Sequence, residues 1–97
     1  MLIFKDLIFE KTFGGVGAKH TFDNGITISV QAGSGIYSTP KENLTSSDQF
    51  SSFEVAMWDE DGDFVTKDFF PDNNDDVIGR QDRADISILM IKIQFDK

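Results

Sequence analysis

The sequence predicts an α+β fold, a mainly antiparallel sheet of about five strands with one C-terminal helix packed on one face. Three observations predict it. Asn24-Gly25 lies between two extended runs, Phe53 to Trp58 alternates before an acidic turn, and Ile86, Leu89, Met90 and Ile93 recur at helical spacing. The 97 residues suffice for one such domain, residues 1–97, and not for two cores.

Residues 2–10 place Ile3, Leu7 and Phe9 on one parity and read as a first strand. Gly14, Gly15 and Gly17 then mark a turn. A phosphate-cradling glycine loop needs a helix N-terminus behind it, and Ala18 to Asp23 reads as extended, so a plain turn is expected. Asn24-Gly25 suits a type I′ hairpin, whose two central residues both take positive φ. After it Ile26, Ile28 and Val30 alternate with Thr27, Ser29 and Gln31, the pattern of a strand covered on one side. Residues 32–50 are rich in Gly, Ser, Thr and Asn and form a long loop, with Ile36, Tyr37 and Leu44 as isolated apolar residues.

Phe53, Val55 and Met57 make the next apolar parity, with Glu54, Ala56 and Trp58 opposite. Asp59-Glu60-Asp61-Gly62 turns the chain, and Asp63 to Phe70 reads as the returning strand of a second hairpin, ended by Pro71. Asp72 to Asp76 is a polar loop. The last segment is open between two readings. Its apolar stripe, with Asp82 or Asp85 as cap and Lys92 and Lys97 near the negative end, suits a helix. Its run Ile86-Ser87-Ile88-Leu89-Met90-Ile91-Lys92-Ile93 also suits a buried strand.

The net charge is −8, and its excess is local. From Lys41 to Arg80 eleven acids face three bases, whereas the rest of the chain is balanced. Direct nucleic-acid binding is therefore not expected, because phosphate neutralisation needs a basic patch; a protein with a basic surface is the partner this charge suits. No cysteine, signal peptide or membrane-spanning run occurs, so neither a disulfide framework nor a membrane partner is expected, and a cytoplasmic chain is.

No catalytic constellation emerges. His20 is the only histidine, and no nucleophile motif surrounds any Ser or Thr. Asp59-Glu60-Asp61-Gly62-Asp63 resembles a calcium loop but lacks the later bidentate Glu, so a charged turn is expected and no metal or other cofactor. The protein reads as a binder and not an enzyme. Trp58, off the apolar parity, is either a contact residue or a residue covered by the long loop through Tyr37 or Leu44. The candidate protein-binding residues are Trp58, Asp59, Glu60, Asp61, Asp63 and Tyr37.

Phe22-Asp23-Asn24-Gly25 with Ile28-Ser29-Val30, then Phe53-Glu54-Val55-Ala56-Met57, then Asp75-Asp76-Val77-Ile78-Gly79 resemble a family of small bacteriophage accessory proteins. The resemblance spans roughly Phe4 to Gln94 and departs at residues 32–50 and after Gly79. It implies a C-terminal helix, a phage origin and residence in the host cytoplasm. By analogy it implies stoichiometric inhibition of a host defence protein, as by anti-CRISPR and other anti-defence inhibitors. The alternative is a phage structural or assembly component, a homo-oligomer joined at a sheet edge.

Overall fold

Alternating apolar residues need cover on one face only, and that requirement organises the chain. In the computed structural model, which describes residues 1–96, strands β1 (Glu10–Lys11), β2 (Gly15–Thr21), β3 (Thr27–Gly33), β4 (Phe53–Trp58) and β5 (Val77–Gln81) pair antiparallel in chain order. A short helix α1 (Thr66–Phe69) precedes β5, and α2 (Arg83–Phe95) follows it. The core joins Ile26, Ile28 and Val30 to Phe53, Val55 and Met57 beneath Ile86, Leu89, Met90 and Ile93 of α2. The α+β reading holds, and of the two readings of the last segment the helix is the one formed.

The helix starts where its cap dictates. The Asp82 carboxylate accepts the Asp85 N–H at 2.8 Å, and Asp85 returns the bond to the Asp82 N–H at 3.1 Å. Lys92 lies in the last turn, while Lys97 is outside the described residues. Arg83 ties the helix to the long loop, donating to the carbonyls of Phe50 and Ser47 at 2.8 and 2.7 Å. Its guanidinium also lies 5.3 Å from the ring centroids of both Phe4 and Phe53.

Four expectations need correction. Residues 2–10 are not one strand: a 3₁₀ turn at Phe4–Asp6 breaks the alternation, and only Glu10–Lys11 pairs. That turn lets Leu2, Phe4, Leu7 and Phe9 all reach the core, which an unbroken period of two forbids. Gly15 and Gly17 lie inside β2, leaving the turn to Phe13 and Gly14. Asp63 to Phe70 does not return as a strand. After a single bridge between Trp58 and Phe64 the chain coils into α1, because Phe69 and Phe70, adjacent in sequence, both pack on the core. Buried Thr66 pins the change: its Oγ1 accepts the Met57 N–H at 3.0 Å and donates to the Asp76 carbonyl at 2.7 Å. The fifth strand is instead Val77–Gln81, bulged opposite Phe53 and Val55.

The fourth correction concerns the first hairpin. The Gly25 N–H donates to the Phe22 carbonyl, the Phe22 N–H donates to the Ile26 carbonyl, and Gly25 has φ 90°. Asn24 is not among the positive-φ residues, so the loop is a three-residue turn closed by a left-handed glycine and not a type I′ turn. Asn24 has other work. Its amide donates to the Ile93 and Asp96 carbonyls at 2.8 and 2.9 Å, satisfying the C-terminal end of α2. Its carbonyl oxygen accepts the Ile26 N–H.

Two outcomes follow for thermal unfolding. Gly25→Val forces a β-branched residue into φ 90° with its Cβ 3.1 Å from Glu60 Oε2, and is expected to destabilise the fold by about 1–3 kcal/mol. Asn24→Ala frees the helix carbonyls and removes the bond from the Ile26 N–H to the side-chain oxygen, and is expected to cost about 1–2 kcal/mol. Melting temperatures equal to that of the parent chain would remove these contacts from the account of stability.

Candidate interaction surface

Antiparallel strands in chain order put alternate turns at opposite ends of the sheet. The Asp23–Gly25 turn joins β2 to β3, and Thr27 pairs with Trp58, so the loop after β4 emerges at the same end. That loop repeats the geometry of the first. The Gly62 N–H donates to the Asp59 carbonyl at 3.0 Å, the Asp59 N–H donates to the Asp63 carbonyl at 2.9 Å, and Gly62 has φ 86°. The Asp59 carboxylate holds the loop from inside, its Oδ1 accepting the N–H groups of Asp61 and Asp63 at 2.9 and 3.0 Å. Asp59 is thus structural as well as charged, whereas Glu60, Asp61 and Asp63 are exposed.

The two turns and the end of α2 enclose a shallow hollow. Ile26, Val65 and Phe69 give it an apolar floor, and Asp59, Glu60, Asp61, Asp68 and Asp96 give it five carboxylates. The C-terminal end of α2 adds its own partial negative charge. At the same end, but on the sheet face away from α2, Phe64 is 52% exposed and meets the half-buried Trp58 edge-on, with ring centroids 6.0 Å apart. Lys19 Nζ lies 5.6 Å from the Trp58 ring. Neither cover foreseen for Trp58 is the one formed: Phe64 and Lys19 flank the indole, and Leu44 packs on the core instead.

Five of the six candidate residues, Trp58, Asp59, Glu60, Asp61 and Asp63, therefore meet at one end. Tyr37 does not join them. Its N–H donates to Glu54 Oε2, its carbonyl accepts the Arg80 N–H, and Lys41 Nζ sits 4.8 Å from its ring. Glu54 is four residues before Trp58 on β4, about 13 Å along a strand. Asp68, Asp96 and Phe64 are the members that the sequence did not reveal: Phe64 and Asp68 fell within the segment read as a returning strand, and Asp96 within none of the motifs.

Asp59, Asp61 and Asp63 each offer a carboxylate oxygen within 4.8 Å of the others, the donor set for a hard cation such as Ca²⁺. One Asp59 oxygen, Oδ1, is already engaged with its own loop, and the sequence lacks the later bidentate Glu of a calcium loop. No family model, curated protein or solved structure matches the chain. Among the described residues no helix is long and apolar enough to cross a membrane.

Addition of Ca²⁺, or its removal with EDTA, is expected to leave the melting curve unchanged, since a ligand held only by the folded state would raise it. A saturable upward shift with Ca²⁺ would assign the three aspartates to a cation.

Proposed function

We propose that the protein is a stoichiometric inhibitor that docks its acidic end onto the basic surface of a host protein. One observation carries the reading. Five acidic residues line a hollow floored by Ile26, Val65 and Phe69, and no basic side chain lines it. This chemistry suits lysine and arginine side chains, whose aliphatic stems pack on apolar surface while their charged heads meet carboxylates. Trp58 and Phe64 supply the aromatic contact that dominates many interfaces. A basic surface dense enough to match commonly holds nucleic acid, so competition with nucleic acid is part of the proposal.

The resemblance of the Phe22–Gly25, Phe53–Met57 and Asp75–Gly79 segments to phage accessory proteins supports a host defence protein as the target and the host cytoplasm as the place. Assembly through the β1 edge of the sheet has less support. The edge strand β1 is only two residues long, and Lys11 and Lys19 stand on the β1–β2 edge; short strands and lysines are features by which proteins avoid edge pairing.

The test is capture of the target from bacterial lysate, followed by kinetics at two salt concentrations. Glu60→Lys with Asp61→Lys is expected to slow association several-fold at low salt and less at high salt, with little change in melting temperature because both side chains are exposed. Asp59 is left intact because it holds the loop. Phe64→Ala is expected to raise the dissociation rate about tenfold. Binding indifferent to both variants would place the interface elsewhere.

A further inference from the structure

Four asparagines occur in the chain, at positions 24, 43, 73 and 74, and Asn24 alone is followed by glycine. That pair has a chemistry of its own. Glycine has no side chain to shield its backbone nitrogen, so the nitrogen can reach the carboxamide carbon of the residue before it. Asn24 is also exposed, so water has access to it. The fold uses the same carboxamide as a fastening. Its Nδ2 donates to the Ile93 and Asp96 carbonyls at 2.8 and 2.9 Å, and its Oδ1 accepts the Ile26 N–H at 3.1 Å. The Gly25 N–H is itself committed to the Phe22 carbonyl at 2.9 Å. Both reacting groups are therefore held by other partners while the turn and the helix end stay closed.

We infer that Asn24 is a modification site, at which deamidation with water as co-reactant turns the fastening of α2 into a repulsion. The reaction starts when the end of α2 opens locally and frees the carboxamide. The Gly25 nitrogen bonds to Asn24 Cγ, the Cγ–Nδ2 bond breaks, and Nδ2 leaves as ammonia with the proton from Gly25. Water then opens the cyclic imide. Attack at Cγ leaves an aspartate, and attack at the backbone carbonyl leaves an isoaspartate, whose main chain runs through Cγ. Either product adds one negative charge and lacks the amide donor, since an ionised carboxylate only accepts. It stands at the C-terminal end of a helix, where carbonyl oxygens make negative charge unfavourable. Asn24 also lines the acidic hollow, so the new charge adds to the carboxylates already there. The modified end opens more readily and does not close as before. The site is thus a one-way switch from a more stable to a less stable chain. The inference stands apart from the proposed inhibition, since no target enters its test.

The full chain is incubated at neutral pH in buffer and in urea sufficient to unfold it. Peptide mapping by mass spectrometry then reads aspartate and isoaspartate at each asparagine position. In urea Asn24 is expected to convert several-fold faster than Asn43, Asn73 or Asn74, because only its neighbour is glycine. In buffer its conversion is expected to slow several-fold, because reaction waits on local opening. The converted chain, separated from the parent by its added charge on anion exchange, is expected to melt at a lower temperature, by at least the shift that Asn24→Ala causes. Asn24→Asp is expected to shift the melting temperature in the same direction without incubation. Conversion in urea no faster than at the other asparagines would overturn the inference, as would equal rates in buffer and urea. A converted chain that melts with the parent would overturn it too, and that measurement requires no variant to fold.

Discussion

One helix must cover one face of a five-stranded sheet, and it is too narrow to do so alone. The 13 residues of α2 make a rod about 20 Å long and about 10 Å across, whereas five strands spaced by about 4.8 Å put the outer two about 19 Å apart. The uncovered margin is closed by segments that are not regular structure. Leu2, Phe4, Leu7 and Phe9 fill one side, and Leu44, Phe50, Phe69 and Phe70 contribute from the loops and α1. Each irregularity in the chain traces to this need. The 3₁₀ turn at Phe4–Asp6 rephases the N-terminal segment so that four apolar residues face inward. The coil into α1 lets two consecutive phenylalanines point the same way. Arg83 then fixes the long loop against the helix through two carbonyls and two rings.

The same constraint explains what was legible in the sequence. Elements with a uniform period read correctly: Ile26 to Val30, Phe53 to Met57 and the stripe of α2 each bury one face from end to end. Errors fall where a segment changes period to fill the margin, at residues 2–10 and 63–70. Both turns declare themselves through Asn24-Gly25 and Asp61-Gly62, but the turn type depends on the closing bonds across the strands, which no dipeptide encodes. The acidic loop was visible as a run of charge. The hollow was not, because Ile26, Asp68 and Asp96 are brought to Asp59 only by the meander and by the placement of α2. The place of Tyr37 was not legible for a related reason: a loop residue has no periodicity to place it, and its position, away from the other five candidates, is set by the Arg80 and Glu54 bonds.

Charge is distributed along the sheet axis in a way that the fold does not require. Burial of the core would be served by a neutral loop after β4 as well as by an acidic one. Instead Glu60, Asp61 and Asp68 stand near the C-terminal end of α2, where helix carbonyls already carry partial negative charge and cations, not anions, are favoured. Like charges at exposed sites cost little each, but they contribute nothing to folding in return. The opposite end holds an aromatic ring, that of Phe13, fully in solvent.

Asn24 reconciles the acidic end with stability. Its amide donates to two carbonyls at the end of α2 while its side-chain oxygen holds the hairpin turn. First turn and helix end are thereby joined by hydrogen bonds into one unit. The Asp59 carboxylate does the same within its own loop, so the exposed carboxylates project from a frame fixed before any partner arrives. Affinity is lost when a surface must be ordered on binding, by roughly 0.5–1.5 kcal/mol for each immobilised side chain. A charged loop already held by its own backbone avoids part of that cost. Residues that stabilise the fold and residues that would meet a basic partner are therefore neighbours here without being the same residues, except at Asp59, where the two roles meet in one side chain.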